Sequence, residues 1–312
     1  MSTLSNVGYH YLSRTDNFKR IWGHDFELFK KHVDYFREKY QITSLEEIER
    51  YNYQPESNNL LISFDDGLKE HMFLGEYLAK LKINGLFNIP ACILRQEPAN
   101  PQVWHFGMAH YGVRKFYSFT KKAVSKICPE KQSLLPLAPG KMETMELHKF
   151  IRNFFKRALN YFEARQILMA IYQKHLLKDF PDFMNRVHLN AGDIINLSKQ
   201  GHSIGSHTDT HCVARDIINN PELIKKELIE PRITLSKLIN QEIKVLTYPF
   251  GAVDDIIDDN EILKQAGYKI GLTTFKGSKE FNQFQIGRYC PSSLETIDEI
   301  RVKIWSYPIK KD

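Results

Sequence analysis

The chain has 312 residues, of which 42% are hydrophobic, 26% charged and 12% aromatic, a globular composition with room for one large α/β domain or two smaller ones. Its net charge of +6 is only mildly basic. With no Gly-rich phosphate loop, RNA-binding aromatic signature or paired CxxC, nothing points to nucleic acid as a partner. Cys92, Cys128, Cys212 and Cys290 lack zinc-pair spacing and read as free thiols of a reducing compartment. No basic-then-apolar leader and no run near the roughly 18 apolar residues of a membrane span is present, so a cytoplasmic protein is expected.

In chain order, residues 7–12 read as a first strand. Phe26, Phe29, Val33 and Phe36 stand at helical spacing and predict a helix over 26–40. The apolar run 59–64 predicts a strand buried on both faces. A helix over 70–82 and a strand over 86–93 follow, and this alternation suggests parallel βα units. Residues 108–185 differ: the pattern is helical, with fourteen Lys/Arg against six Asp/Glu, a local net of +8. This stretch reads as an insertion within a single domain. Alternation resumes with helices over 193–200, 221–239 and 258–266 and strands over 203–206, 245–248, 270–274 and 286–289.

Three short motifs each close a predicted strand. Ser63-Phe64-Asp65-Asp66-Gly67 sets two carboxylates at a strand's C-terminal end, where parallel α/β folds place their sites. One could bind a metal while the other stays a free base, although an Asp-Asp-Gly turn can also simply cap a helix. His207-Thr208-Asp209-Thr210-His211 spaces two imidazoles at i, i+4. On one face of a helical turn they could grip a single ion; two hydrogen-bonded histidines are the plainer alternative. Leu246-Thr247-Tyr248-Pro249-Phe250-Gly251 ends a strand in a turn that can present a backbone N–H to a ligand oxygen, or be an ordinary strand exit. Two His and one Asp together make a facial three-ligand set with open positions for water and substrate.

The pattern resembles the polysaccharide deacetylase family, the NodB-homology or carbohydrate esterase family 4 group. The resemblance spans residues 7–93 and 188–293 and skips the central insertion. The Ser63–Gly67 segment resembles the family's (T/S)FDDG motif, Gly205–His211 its H(S/T)xxxH motif, and Leu246–Gly251 its YP(F/Y)G motif. Gly267-Tyr268 resembles the GY that precedes the next strand, and Tyr9-His10-Tyr11 fits the opening strand. The resemblance implies a distorted (β/α) barrel of seven or eight strands. It makes Asp65 the general base, Asp66, His207 and His211 the ligands of one divalent metal, and the Phe250 N–H an oxyanion donor. Zinc suits that ligand set, as do cobalt, nickel and iron.

The sequence departs from the family in two places. The usual acid is a C-terminal His, and no His follows His211. The Arg that often pairs with the base is Leu246 here, and Arg288 is the candidate to supply that charge. His10, His105 and His202 are the candidate acids, or Asp65 itself returns the proton. Trp104 and His105, at the start of the insertion, together with Tyr248 and Pro249, are the candidate substrate contacts. The expected activity is removal of an N-acetyl, or other N-acyl, group from an amino sugar in surface polysaccharide or glycoconjugate biosynthesis. The basic insertion suits a nucleotide- or lipid-linked sugar. Phe150, Phe154, Phe155 and Tyr161 among Arg152, Lys156 and Arg157 could also rest on a membrane surface or cover an aromatic core. The alternatives are a carbohydrate-binding protein that has lost catalysis on the same fold, or a deformylase or amidase.

Overall fold

The computed structural model describes residues 3–12, 23–49, 58–275, 282–293, 295–304 and 306–308. Its strands are β1 (Thr3–Tyr9), β2 (Gln41–Ile42), β3 (Asn58–Phe64), β4 (Leu86–Ile89), β5 (Ser203–Ser206), β6 (Val245–Thr247), β7 (Ile270–Thr273), β8 (Ile286–Gly287) and β9 (Tyr307–Pro308). They lie in the order β8-β7-β6-β5-β4-β3-β1-β9, with β2 paired to β3. Every pairing from β1 through β8 is parallel; β9 alone runs antiparallel, against β1. The sheet curls until its ends meet. Gly8 N donates to Tyr289 O and Tyr289 N to Asn6 O, both at 2.9 Å. This closes the (β/α) barrel that the resemblance implied.

Period-two alternation decides what the barrel holds. Leu4, Leu61, Leu86, Val245, Ile270, Leu272 and Ile286 form an apolar cluster of strand residues at the N-terminal side. Two residues further along the strands stand Asn6, Ser63, Asn88, Thr247 and Arg288, all buried. A polar layer thus sits on an apolar plug and leads to the C-terminal ends of the strands. The main apolar cluster lies outside the strands, where Val7, Phe64 and Phe87 pack with helix residues such as Phe29, Leu78, Ile151 and Leu197.

Several boundaries differ from the sequence reading. β1 starts at Thr3 and ends at Tyr9 rather than spanning 7–12; polar Ser5 and Asn6 hid its first half although both are buried. The strand expected over 86–93 stops at Ile89, and Ala91–Arg95 forms a 3-10 turn. Between β4 and β5 the chain is helical from Asn100 to Val187. Trp104 and His105 therefore stand on the helix Asn100–Tyr111. Phe154, Phe155 and Tyr161 are buried, and Lys156 and Arg157 pair with buried Asp255 at 2.7 and 2.6 Å. That face covers the core, so it is not the membrane-resting surface the sequence allowed. All four cysteines are free thiols, and no helix among the described residues is long and apolar enough to cross a membrane.

Candidate metal and catalytic centre

The site lies where the parallel strands end. Asp65 and Asp66 follow β3, His10 follows β1, His207 follows β5, and Arg288 follows β8. Asp65 N still donates to Tyr9 O (3.0 Å) and His207 N to Ile89 O (2.9 Å), so sheet pairing carries both residues to the pocket floor. Beyond them the backbone turns sharply. Asp66, Thr208, His211 and Phe250 all adopt positive φ, between 61° and 76°. Such a conformation is costly for residues other than Gly and clusters at functional sites. The HxxxH segment is therefore a left-handed loop and not the helical turn its spacing suggested.

Asp66, His207 and His211 come together, with one potential ligand atom from each lying within 4.8 Å of the others. Asp66 Oδ1 is 3.4 Å from His207 Nε2 and 3.2 Å from His211 Nε2. His207 Nδ1 meets Thr247 O at 2.7 Å, and a carbonyl can only accept, so the proton sits on Nδ1 and Nε2 presents a lone pair. That lone pair and Asp66 Oδ1 are both buried without a hydrogen-bond partner among the described residues. Two converging acceptors suit a cation, and the carbonyl behind His207 is the orienting partner that metal-bound imidazoles have. The residues therefore fit a divalent ion. Burial disfavours ionising Asp66, but the two imidazoles outweigh it and hold the carboxyl well below its usual range. Burial and His207 lower the pKa of His211.

Asp65 is held apart from this trio. Arg288 grips it with two parallel bonds, Nη1 to Oδ1 at 2.8 Å and Nη2 to Oδ2 at 2.7 Å. Asn88 Nδ2 adds a third at 2.8 Å. Arg288 is itself fixed by Ser63 Oγ (3.2 Å) and Thr273 O (3.3 Å). A Cβ on Gly8 would stand 3.2 Å from Arg288 Nη1, so the small residue on β1 leaves the guanidinium its room. Burial pushes the Asp65 pKa up, and the Arg288 charge beside it more than reverses this, leaving an ionised carboxylate. His10 Nε2 stands 3.6 Å from Asp65 Oδ2 with 39% of its side chain exposed. His71 holds the His10 carbonyl at 3.0 Å.

The remaining candidates divide. Phe250 packs its ring on His211, centroids 4.7 Å apart, and its N–H has no acceptor among the described residues. Trp104 stacks between Phe155 (5.6 Å) and Phe250 (6.3 Å) and lines a pocket with His211, Phe250 and Asp216. His105 meets Tyr11 Oη at 2.8 Å, and burial lowers its pKa to about 3. Pro249 is buried behind Phe250. Tyr248 is fully buried and donates to Ile257 O at 3.3 Å; it anchors the turn from within and does not face a substrate. His202 is removed as a candidate acid. It is buried, its Nδ1 accepts from Gly85 N and its Nε2 meets Gly75 O, at 3.1 and 2.9 Å.

Asn88, Glu227 and the part Ser63 plays escaped the sequence reading. Asn88 and Ser63 sit at the inward positions of their strands, and polar residues at every second place of an apolar strand were the signal. Glu227 had none. It stands in a π turn, Lys225–Ile229, of the long helix that begins at Pro221. Its carboxylate accepts from Asp209 N (3.0 Å), Thr210 N (2.9 Å), Thr210 Oγ1 (2.9 Å) and Tyr161 Oη (2.7 Å). The loop bearing both histidines is thus clamped from below, and Arg95 grips Asp209 with two further bonds (2.9 and 2.6 Å).

Residues 153–271, which include His207, His211 and Phe250, match the polysaccharide deacetylase family model. That stretch, 119 of the 312 residues, is what the chain shares with the family at the level of sequence. Asp65 and Asp66 lie outside the matched span, and the folded structure brings them to it. Solved structures share the fold of this chain. Deacetylase PplD of Streptococcus pyogenes, in complex with acetate, aligns at 14% identity and TM-score 0.61 over 97% of this chain and 98% of its own. A de-N-acetylase of Aggregatibacter actinomycetemcomitans aligns at 12% identity and TM-score 0.56 over 96% and 99%. IcaB of Ammonifex degensii aligns at 13% and 0.52 over 93% and 92%. No protein of curated function matches the sequence.

Proposed function

We propose that this chain is a metal-dependent N-deacetylase acting on an amino sugar of a polysaccharide or glycoconjugate. The observation that carries the reading is the convergence of Asp66, His207 and His211 beside an ionised Asp65 that Arg288 and Asn88 hold in place. Polarisation of the amide carbonyl and of water is the chemistry that a divalent ion, zinc by preference, supplies to such a ligand set. Asp65, fixed and unprotonated, accepts the proton of the attacking water. The Phe250 N–H, without an acceptor among the described residues, donates to the developing oxyanion. His10, part-exposed and 3.6 Å from Asp65, would protonate the leaving amine. Acetyl is favoured over formyl because one structural neighbour is described with acetate and another as a de-N-acetylase.

The test is acetate release from N-acetylated amino sugars presented free, as oligomers, and in nucleotide- and lipid-linked form, together with metal analysis of the purified protein. One zinc-class ion per chain is expected. Asp65→Asn should cut turnover by at least about a hundredfold, the low end for a general base, while keeping the ion. An Asp65→Asn protein that matches wild type on the best substrate would refute the assignment. A protein without stoichiometric metal would favour a binding role.

A further inference from the structure

The two oxygens of Asp66 have different surroundings. Oδ1 faces the imidazoles, at 3.4 Å from His207 and 3.2 Å from His211. Oδ2 receives a hydrogen bond from Gln102 Nε2 at 2.9 Å, and the same nitrogen donates to Tyr11 Oη at 3.0 Å. Tyr11 Oη in turn lies 2.8 Å from His105 Nδ1. An ionised carboxylate can only accept, so the amide must present its nitrogen to Asp66. Both N–H bonds of Gln102 are then used, one on Asp66 and one on the Tyr11 hydroxyl, which is itself held by the hydrogen bond to His105 Nδ1. Gln102 is fully buried, and its Oε1 has no donor among the described residues. A neutral amide buried with one end unanswered acts here through its donors alone.

A carboxylate's terminal torsion is broad and two-fold, so nothing in Asp66 itself aims Oδ1 at the histidines. A neutral donor on Oδ2 fixes that torsion and leaves the full negative charge for an ion on the other side. A Lys or Arg in the same place would compete with the ion. We propose that Gln102, anchored by Tyr11, is the positioning residue that aims Asp66 Oδ1 into the metal site. The helix Asn100–Tyr111, which also carries Trp104, thereby helps set metal affinity. This rests on the metal reading given under Proposed function.

The experiment measures the zinc dissociation constant of the full chain by competition with a chromogenic chelator. Wild type, Gln102→Leu, Gln102→Asn and Tyr11→Phe are compared, each with the melting temperature of its metal-free form. Removing an orienting partner of a metal ligand weakens binding by about 10–100-fold. Gln102→Leu and Gln102→Asn should raise the dissociation constant at least tenfold at unchanged 1:1 stoichiometry; Tyr11→Phe should raise it less. A role in packing alone would lower melting temperatures and leave affinity in place. Folded Gln102→Leu and Gln102→Asn proteins that bind zinc within twofold of wild type would overturn the proposal. Should Gln102→Leu not fold, Gln102→Asn and Tyr11→Phe decide the matter. Wild type that holds no zinc at 1:1 removes the metal reading itself. Wild type that holds it while the variants hold it equally well removes only the positioning role.

Discussion

Asp65 has conflicting demands. It must be ionised to take a proton, and it is buried, which opposes ionisation. Arg288, also buried, resolves the conflict from the far end of the chain. Removing one partner of a buried ion pair strands the other charge and costs about 3–5 kcal/mol, so Arg288→Leu should lower the urea midpoint by a matching amount. The sign with pH follows from the direction of the shift. A carboxylate whose folded pKa lies below its unfolded value stabilises the fold above the unfolded value, and that contribution disappears as pH falls through the folded one. The gap in stability between wild type and Arg288→Leu should therefore be widest at neutral pH and narrow as pH falls, first as the variant's Asp65, raised by burial, takes up a proton and then as the wild-type carboxylate does. A gap independent of pH down to pH 2 would show that the pair contributes nothing through ionisation. His10 poses a separate question. If it protonates the leaving amine, His10→Ala should lower kcat on an N-acetyl sugar by about a hundredfold and leave hydrolysis of 4-nitrophenyl acetate, whose leaving group needs no proton, nearly unchanged. Equal losses on both substrates would assign His10 to positioning Asp65.

Two elements act on the site without touching a substrate. Gly205 on β5 faces the barrel interior, where an added Cβ would stand 2.2 Å from Asn88 Oδ1 and 2.8 Å from Val245 Cγ1. Gly205→Ala should drive Asn88 off Asp65, lowering kcat more than it raises KM; unchanged kcat in a folded variant would show that Asn88 is dispensable. The π turn at Lys225–Ile229 carries Glu227 under the histidine loop. Glu227→Ala leaves four buried donors without an acceptor, at about 1–3 kcal/mol each before the loop relaxes. A loss of several kcal/mol in urea denaturation and weaker zinc binding are both expected. At this scale the sequence was legible where a function is written in contiguous residues. Asp65-Asp66, His207 to His211 and Phe250-Gly251 each lie on one strand exit, and the βα alternation located those exits. It was not legible where partners are remote: Gln102 reaches Asp66 from 36 residues away and Glu227 reaches Asp209 from 18. Local pattern also misled at residues 90–93, where apolar Ala91, Cys92 and Ile93 read as more strand. Their first two N–H groups instead bond Thr208 O and Asp209 O at 3.1 and 3.0 Å, so that turn braces the histidine loop.

The helices between β4 and β5 are joined to the barrel by more than the two chain crossings. One apolar cluster runs from Val7, Phe64 and Phe87 of the strands through Trp104 and Phe116 to Ile151, Leu168 and Phe183. Tyr161 bonds Glu227 (2.7 Å), Lys156 and Arg157 flank Asp255, and Lys156 lies 4.5 Å over the Phe250 ring. Two of the fourteen Lys/Arg of this stretch thus pair with an acidic residue of a barrel loop. A segment that shares its core with the barrel cannot unfold and leave the barrel's Trp104-facing side dry. Thermal unfolding should therefore be a single transition, coincident by far-UV and near-UV circular dichroism. Zinc should move that transition as a whole, since binding the folded state alone stabilises it by about 4 kcal/mol at a free concentration a thousand times Kd. A chelator should shift both signals down together. Two transitions, with only the later one sensitive to zinc, would mean that the helical segment folds apart from the centre it covers and that Gln102 and Trp104 reach the site only after docking.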